Sequence, residues 1–240
     1  MRLLTFSERN AKEILRDPLT AAFGLGFPIV LILLLSALQA NIPVSLFELD
    51  SLTPGMTIFG LSFMTLFSAT LIAKDRECTF LQRLYTSPLT AADFIFGYTL
   101  PILPIAVAQC ILCYIAALIL GLSATVNIVY AVFFILPAAL FFIALGLLFG
   151  SLFSVKQVGS LCGALLTNLT AWLSGTWFDL ALVGGAFKKI AYLLPFIHAV
   201  ELERAVLSGN MTGIFPHLYW VLGYAVAVSI AAILAFRTRK

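Results

Sequence analysis

Residues 74–94 read KDRECTFLQRLYTSPLTAADF. This island holds three basic residues (Lys74, Arg76, Arg83) and three acidic ones (Asp75, Glu77, Asp93) in a chain that is otherwise almost free of charge. No charge occurs from Ser51 to Ala73 before it, or from Phe94 to Val155 after it. The flanking runs decide the fold class. A helix needs about 20 apolar residues to cross a bilayer, and each run is at least that long. A soluble domain carries about 25% charged residues; this chain of 240 carries 10%, with 62% hydrophobic. Water cannot solvate such a surface, so lipid must.

Three more uncharged stretches follow the same logic: between Asp17 and Glu48, from Gln157 to Phe178, and from Ala205 to Phe236. The longest run fits two spans, and the turn-prone GLSATVN at Gly121–Asn127 divides it into a hairpin. The reading is an all-α integral membrane protein, one transmembrane domain over 1–240, with six spans near 19–39, 54–73, 97–120, 128–150, 158–177 and 217–236. The first apolar run follows a polar head and shows no cleavage pattern, so it reads as a retained span.

Lys and Arg set the orientation. Of the 14 in the chain, eleven fall on one side of a six-span layout: Arg2, Arg9, Lys12, Arg16, Lys74, Arg76, Arg83, Lys156, Arg237, Arg239 and Lys240. Lys188, Lys189 and Arg204 fall on the other. Both termini are therefore expected in the cytoplasm. The net charge of +3 is a topology signal and points to no nucleic acid. Cys78 is expected in the cytoplasm, and Cys110, Cys113 and Cys162 within the membrane, where no disulfide is expected.

The head, residues 1–18, reads as an interfacial amphipathic helix. Leu4, Ala11, Ile14 and Leu15 share one face, and Arg9, Lys12 and Arg16 share another that would meet lipid headgroups. The plainer alternative is a solvated basic leader. Residues 179–216 are too broken for a span and too apolar for a free loop. Gly184, Gly185 and Pro195 cut them into short outer helices, partly re-entrant. His198, Glu201, Glu203 and Arg204 concentrate polarity there. They line an exit path, or they form a salt-bridged surface helix.

Catalytic patterns are absent. No GxxxxGK[ST] phosphate loop occurs, nor HExxH. The histidines, His198 and His217, supply too few ligands for a metal site. CILC at Cys110–Cys113 has redox spacing in the wrong context, and Ser174 in WLSGT lacks the nucleophile-elbow pattern. The small-x-x-x-small pairs Gly146–Gly150 and Gly159–Gly163 permit close helix approach, within the subunit or between copies.

The island itself alternates usefully. Phe80, Leu81, Leu84 and Tyr85 form one apolar stripe, and SPL at Ser87–Leu89 ends that helix. Thr90 with Asp93 makes a capping box for the next helix. A solvated connector would need neither stripe nor rigid turn. The segment 74–93 therefore reads as a cytoplasmic helical elbow between spans two and three.

DRECTFLQRLYTSPLT resembles the coupling segment of permease subunits of type V ATP-binding-cassette exporters, the ABC-2 type membrane proteins. Their pattern runs roughly E-x-G-T-x-x-R-L-x-x-[ST]-P-[LV]-[ST]. Glu77, Arg83, Leu84, Ser87, Pro88, Leu89 and Thr90 match it, and Thr79 and Phe80 stand in place of its glycine and threonine. LRDPL at Leu15–Leu19, followed by Pro28, resembles the family's entry to span one. LPFIHAVELERAVLSG at Leu194–Gly209 resembles its outer segment, P-x-x-x-A-x-E-x-x-R. Pro195, Ala199 and Arg204 fit that pattern, and Glu201 approximately so. The resemblance covers nearly the whole chain.

It implies a permease without ATPase motifs of its own. ATP and Mg would sit on a separate cytoplasmic nucleotide-binding subunit. A second permease copy, or a homologous one, and the lipids of a plasma or inner membrane would complete the assembly. Arg76, Glu77, Phe80, Leu81, Arg83, Leu84, Tyr85 and Pro88 would couple the ATPase to the spans. The 21 Phe, 7 Tyr and 3 Trp suit an amphiphilic, drug-like or lipid-like substrate, and suit lipid-facing helices equally. A secondary carrier or channel would want ionisable groups within spans, and an intramembrane enzyme a polar catalytic cluster. The sequence shows neither.

Overall fold

The computed structural model describes residues 2–78, 80 and 90–238, and the described residues are all-helical apart from short connections. In chain order the helices are α1 (Arg2–Leu15), α2 (Pro18–Gln39), α3 (Leu49–Glu77), α4 (Ala91–Ile119) and α5 (Asn127–Leu152). Then come α6 (155–173), α7 (Leu180–Val183), α8 (Gly185–Leu193), α9 (Pro195–Leu207) and α10 (Met211–Thr238). Among the described residues five helices, α2, α3, α4, α5 and α10, are long and apolar enough to cross a membrane.

The fifth expected span, 158–177, coincides with α6, which is not one regular helix. It is α-helical at Val155–Val158, π-helical at Gly159–Leu166 and α-helical again at Thr167–Leu173. Gly159 and Gly163 line the widened turns, and the Thr167 hydroxyl donates to the Cys162 carbonyl at 2.9 Å. A side-chain donor thus helps satisfy backbone that leaves the regular ladder.

Helix α3 is the centre of the molecule. Ile58, Leu61, Met64 and Ile72 are fully buried, as are Thr57, Ser62, Thr65 and Ser68. Hydroxyls at such depth need partners. Thr57, Ser62 and Ser68 donate to carbonyls of their own helix, and Thr65 donates to Phe142 of α5 at 2.7 Å. The α3–α5 contact is close because α5 presents Gly146 and Gly150. A Cβ on Gly150 would lie 2.6 Å from the Ala69 carbonyl oxygen. This glycine pair therefore packs within the subunit. By contrast, α2 and α10 leave Phe23, Val30, Leu33, Leu34, Val226, Ile230 and Leu234 exposed. Lipid can solvate such faces and water cannot.

The connections follow local chemistry. Thr90 and Asp93 form the expected capping box at the start of α4. Gly121, with φ +110°, turns the chain between α4 and α5. Gly184 and Gly185, with φ +62° and +55°, separate α7 from α8, and Pro195 opens α9 at its first turn. Helix α9 is buried along nearly its whole length against α3, α5 and α10. Cys78 is exposed, the other three cysteines are buried, and all four are free thiols.

The N-terminal helix packs differently from the face its sequence suggested. Phe6, Asn10 and Ile14 are the buried residues, while Leu4 and Leu15 are exposed. The docked stripe runs i, i+4, i+8 and includes a polar residue, because Asn10 finds a carbonyl partner on α4.

Candidate functional site

The last turn of α3 joins most of the other helices. Its four final residues each reach a different place. Lys74 Nζ lies 3.8 Å from the Asp17 carboxylate, between α1 and α2. Asp75 receives Arg9 of α1 in a two-pronged pair, 2.5 and 2.7 Å, and the Tyr98 hydroxyl of α4 at 2.7 Å. Arg76 donates to the Ser151 carbonyl at 2.6 Å and to that of Phe153, covering the C-terminal end of α5. Glu77 accepts the Val155 N–H at 2.9 Å, at the first turn of α6.

The signs suit the helix ends. A guanidinium sits where α5 exposes carbonyls, and a carboxylate where α6 exposes N–H groups. The Asp75 side chain is 3% exposed, and the paired guanidinium and the phenol offset the loss of water around it. Around it Phe6 meets Tyr98 edge to face at 5.0 Å, and Asn10 donates to the Gly97 carbonyl at 3.0 Å. Gly97 is required here, since a Cβ would overlap the Phe6 ring. Phe80 lies beneath the Arg9 guanidinium, 4.4 Å from ring centre to carbon.

The structure thus brings Arg9, Arg76, Glu77 and Phe80 of the expected residues into one junction. Lys12 and Arg16 stay outside it, pairing along α1 with Glu8 at 2.7 Å and Glu13 at 3.7 Å. Leu81, Arg83, Leu84, Tyr85 and Pro88 lie outside the described residues. Sequence reasoning missed Phe6, Asn10, Asp75, Gly97 and Tyr98. Only the helical spacing of Phe6, Asn10 and Ile14 hinted at a docked face; Asp75 looked like one more charge in a charged island.

The second polar group lies at the opposite end of α3. Arg204 of α9 donates to the carbonyls of Ser51 (3.3 Å) and Gly175 (3.0 Å) and to Glu201 at 3.0 Å. It clips α9 to the start of α3 and the end of α6. A cavity of about 290 Å³ opens beside it, bounded by Glu48, Ser51, Asp179, Tyr192 and Glu201. Glu203 points the other way and is fully buried; Tyr114 of α4 donates to its Oε2 at 3.3 Å, and its Oε1 has no hydrogen-bond partner. Burial pushes this carboxyl well above its ordinary value, against the smaller pull of the Tyr114 hydroxyl. His198 faces His217 of α10 with 2.9 Å between their Nδ1 atoms.

A bundle of long apolar helices, tied at one end by a charged junction and capped at the other by the buried helix α9, defines a multi-pass membrane protein. The family follows from comparison. The family model of ABC-2 type transporters matches residues 1–208, and the chain belongs to that family. A relative from Porphyra purpurea carries the name transport permease ycf38 and is 27% identical over 214 residues, 85% of this chain and 72% of the relative.

Proposed function

We propose that this protein is the permease subunit of an ATP-driven exporter of type V, coupled to a separate cytoplasmic ATPase. The observation that carries the reading is the end of α3. Four consecutive residues there tie α3 to α1, to the lead into α2, to α4, to α5 and to α6, immediately before the stretch 78–90. In this reading the apolar stripe Phe80, Leu81, Leu84 and Tyr85, rimmed by Arg76, Glu77 and Arg83, docks in a groove of the ATPase. Pro88 holds its angle to α4. A displacement of the docked stretch is handed to α3 and, through Lys74–Glu77, to its neighbours together.

The junction end is then cytoplasmic, both termini with it, and α6 is the fifth of six spans despite its irregular middle. The protein works in a cell membrane with a second permease copy or a homologous one. Helix α9, clipped by Arg204, closes the outer end, and the cavity beside it belongs to the exit for an amphiphilic substrate. Replacing Leu84 with Asp tests the docking step. The variant is expected to insert normally, lose its ATPase on co-purification and lose export. An anchor is worth about 2 kcal/mol or more, roughly thirtyfold in affinity. Retained partner and normal export would overturn the reading.

A further inference from the structure

The closing helix α9 carries a contact that the exporter reading does not use. His198, 5% exposed, and His217 face each other through Nδ1 at 2.9 Å, one on α9 and the other on α10. The His198 ring also stacks on Trp220, 4.8 Å between centres and 9° between planes, so its orientation is held. The remaining nitrogen of His198, Nε2, lies 3.0 Å from the carbonyl oxygen of Tyr192 at the end of α8. A carbonyl only accepts, so Nε2 carries a proton. In neutral His198 the Nδ1 atom is therefore a lone pair, and the proton of the short contact belongs to His217.

This assignment gives the pair a limited capacity for protons. One added proton can go to the other ring nitrogen of His217 and leaves the bond between the rings intact. The next must land on Nδ1 of His198, and two N–H groups then meet head to head with two positive charges. We propose that His198 and His217 form an acid-released latch, which holds α9 against α10 near neutral pH and lets it go when both rings are charged.

Each element packed around the pair brings its own groups. On α9, Glu201 is the nearest carboxylate and favours charge on the rings, but it is already engaged by Arg204. On α8, Tyr192 offers its carbonyl, and Lys188 lies over the Tyr192 ring at 5.9 Å. On α10 the neighbours are aromatic, Trp220 and then Tyr224. From α5, Phe141 and Phe142 pack on Phe196, two residues before His198. Burial lowers the His198 pKa from its ordinary 6.5. The sign follows: the latch stabilises the closed arrangement fully above that ordinary value, and the contribution disappears as pH falls through the lowered one.

The chain has two histidines, which makes the test clean. The full chain in lipid nanodiscs, without ATPase or substrate, is labelled at the histidine ring carbons and titrated by NMR. Hydrogen exchange of α9 is followed in parallel and corrected for the intrinsic pH dependence of exchange. As pH falls from neutral through the range where the NMR titration shows His198 becoming charged, the α9 amides are expected to lose about tenfold in protection. His198→Phe and His217→Phe should each abolish that pH response. Unchanged α9 protection in the wild type across the titration overturns the latch, even if neither variant can be purified. An equal loss in either variant overturns it too, since the response would then come from elsewhere. Because no ATPase is present, failure here is separate from failure of the exporter reading.

Discussion

Arg9 and Asp75 lie 66 positions apart, yet Arg9 reaches the nearly dry Asp75 carboxylate with two nitrogens and offsets the cost of burying it. Removing the guanidinium leaves the buried carboxylate with the Tyr98 hydroxyl at 2.7 Å. Arg9→Ala is expected to lower stability by about 2–3 kcal/mol, below the full cost of breaking a buried pair because Arg9 is partly exposed. Thermal unfolding in detergent measures this. The double variant Arg9→Met with Asp75→Leu should recover most of the loss, since well-packed apolar groups often replace a buried pair without penalty. Export by the double variant should still be impaired if the junction transmits movement. Glu203 poses the opposite case, a buried carboxyl without a cation. Its raised pKa means that its stabilising contribution is present below the ordinary 4.5 and is lost as pH rises through the raised value. The wild-type unfolding midpoint, followed as a pH series, should therefore fall as pH rises above the ordinary value and through the raised one. Glu203→Gln should be flatter and at least as stable at the alkaline end.

Helix packing divides the glycines into two kinds. Gly150 of α5 sits against backbone atoms of Ala69, which have nowhere to go. Gly150→Ala should therefore cost about 1–3 kcal/mol, as overpacking does when the neighbour is not a flexible side chain. Gly223 of α10 has nothing within 4 Å of a built Cβ. Gly223→Ala should be neutral or gain up to about 1 kcal/mol from helix propensity. A midpoint drop for Gly223→Ala comparable to that of Gly150→Ala would mean that the face of α10 is occupied by a partner, such as a second permease copy.

At the scale of the whole molecule, the exposed apolar faces of α2 and α10 make lipid the solvent, and the distribution of Lys and Arg sets the sides. Reporter domains fused after Lys240 and at Asn210 should appear in opposite compartments, with the Lys240 fusion in the cytoplasm. The reverse, Asn210 in the cytoplasm and Lys240 outside, would exclude the six-span arrangement and leave α6 as a helix that does not cross; both reporters on one side would mean that α10 does not cross.

The membrane class, the hairpin at Gly121, the breaks at Gly184 and Pro195, and the Thr90–Asp93 cap could all be read along the chain. Each depends on residues within a few positions of one another: apolar length, backbone freedom at glycine, the missing N–H of proline, a side chain reaching three residues on. The ABC-2 type family was legible for the same reason, because its motifs are short and local. The buried face of α1, the junction at the end of α3 and the pairing of His198 with His217 were not legible. Arg9 meets Asp75, Arg76 meets Ser151, and Glu77 meets Val155 across wide sequence separations, and no periodicity announces such a meeting. In Lys74–Glu77 the sequence displays charge. Which charge is buried, which covers a helix end and which stays exposed was decided only when the helices packed and each had to find a partner out of water.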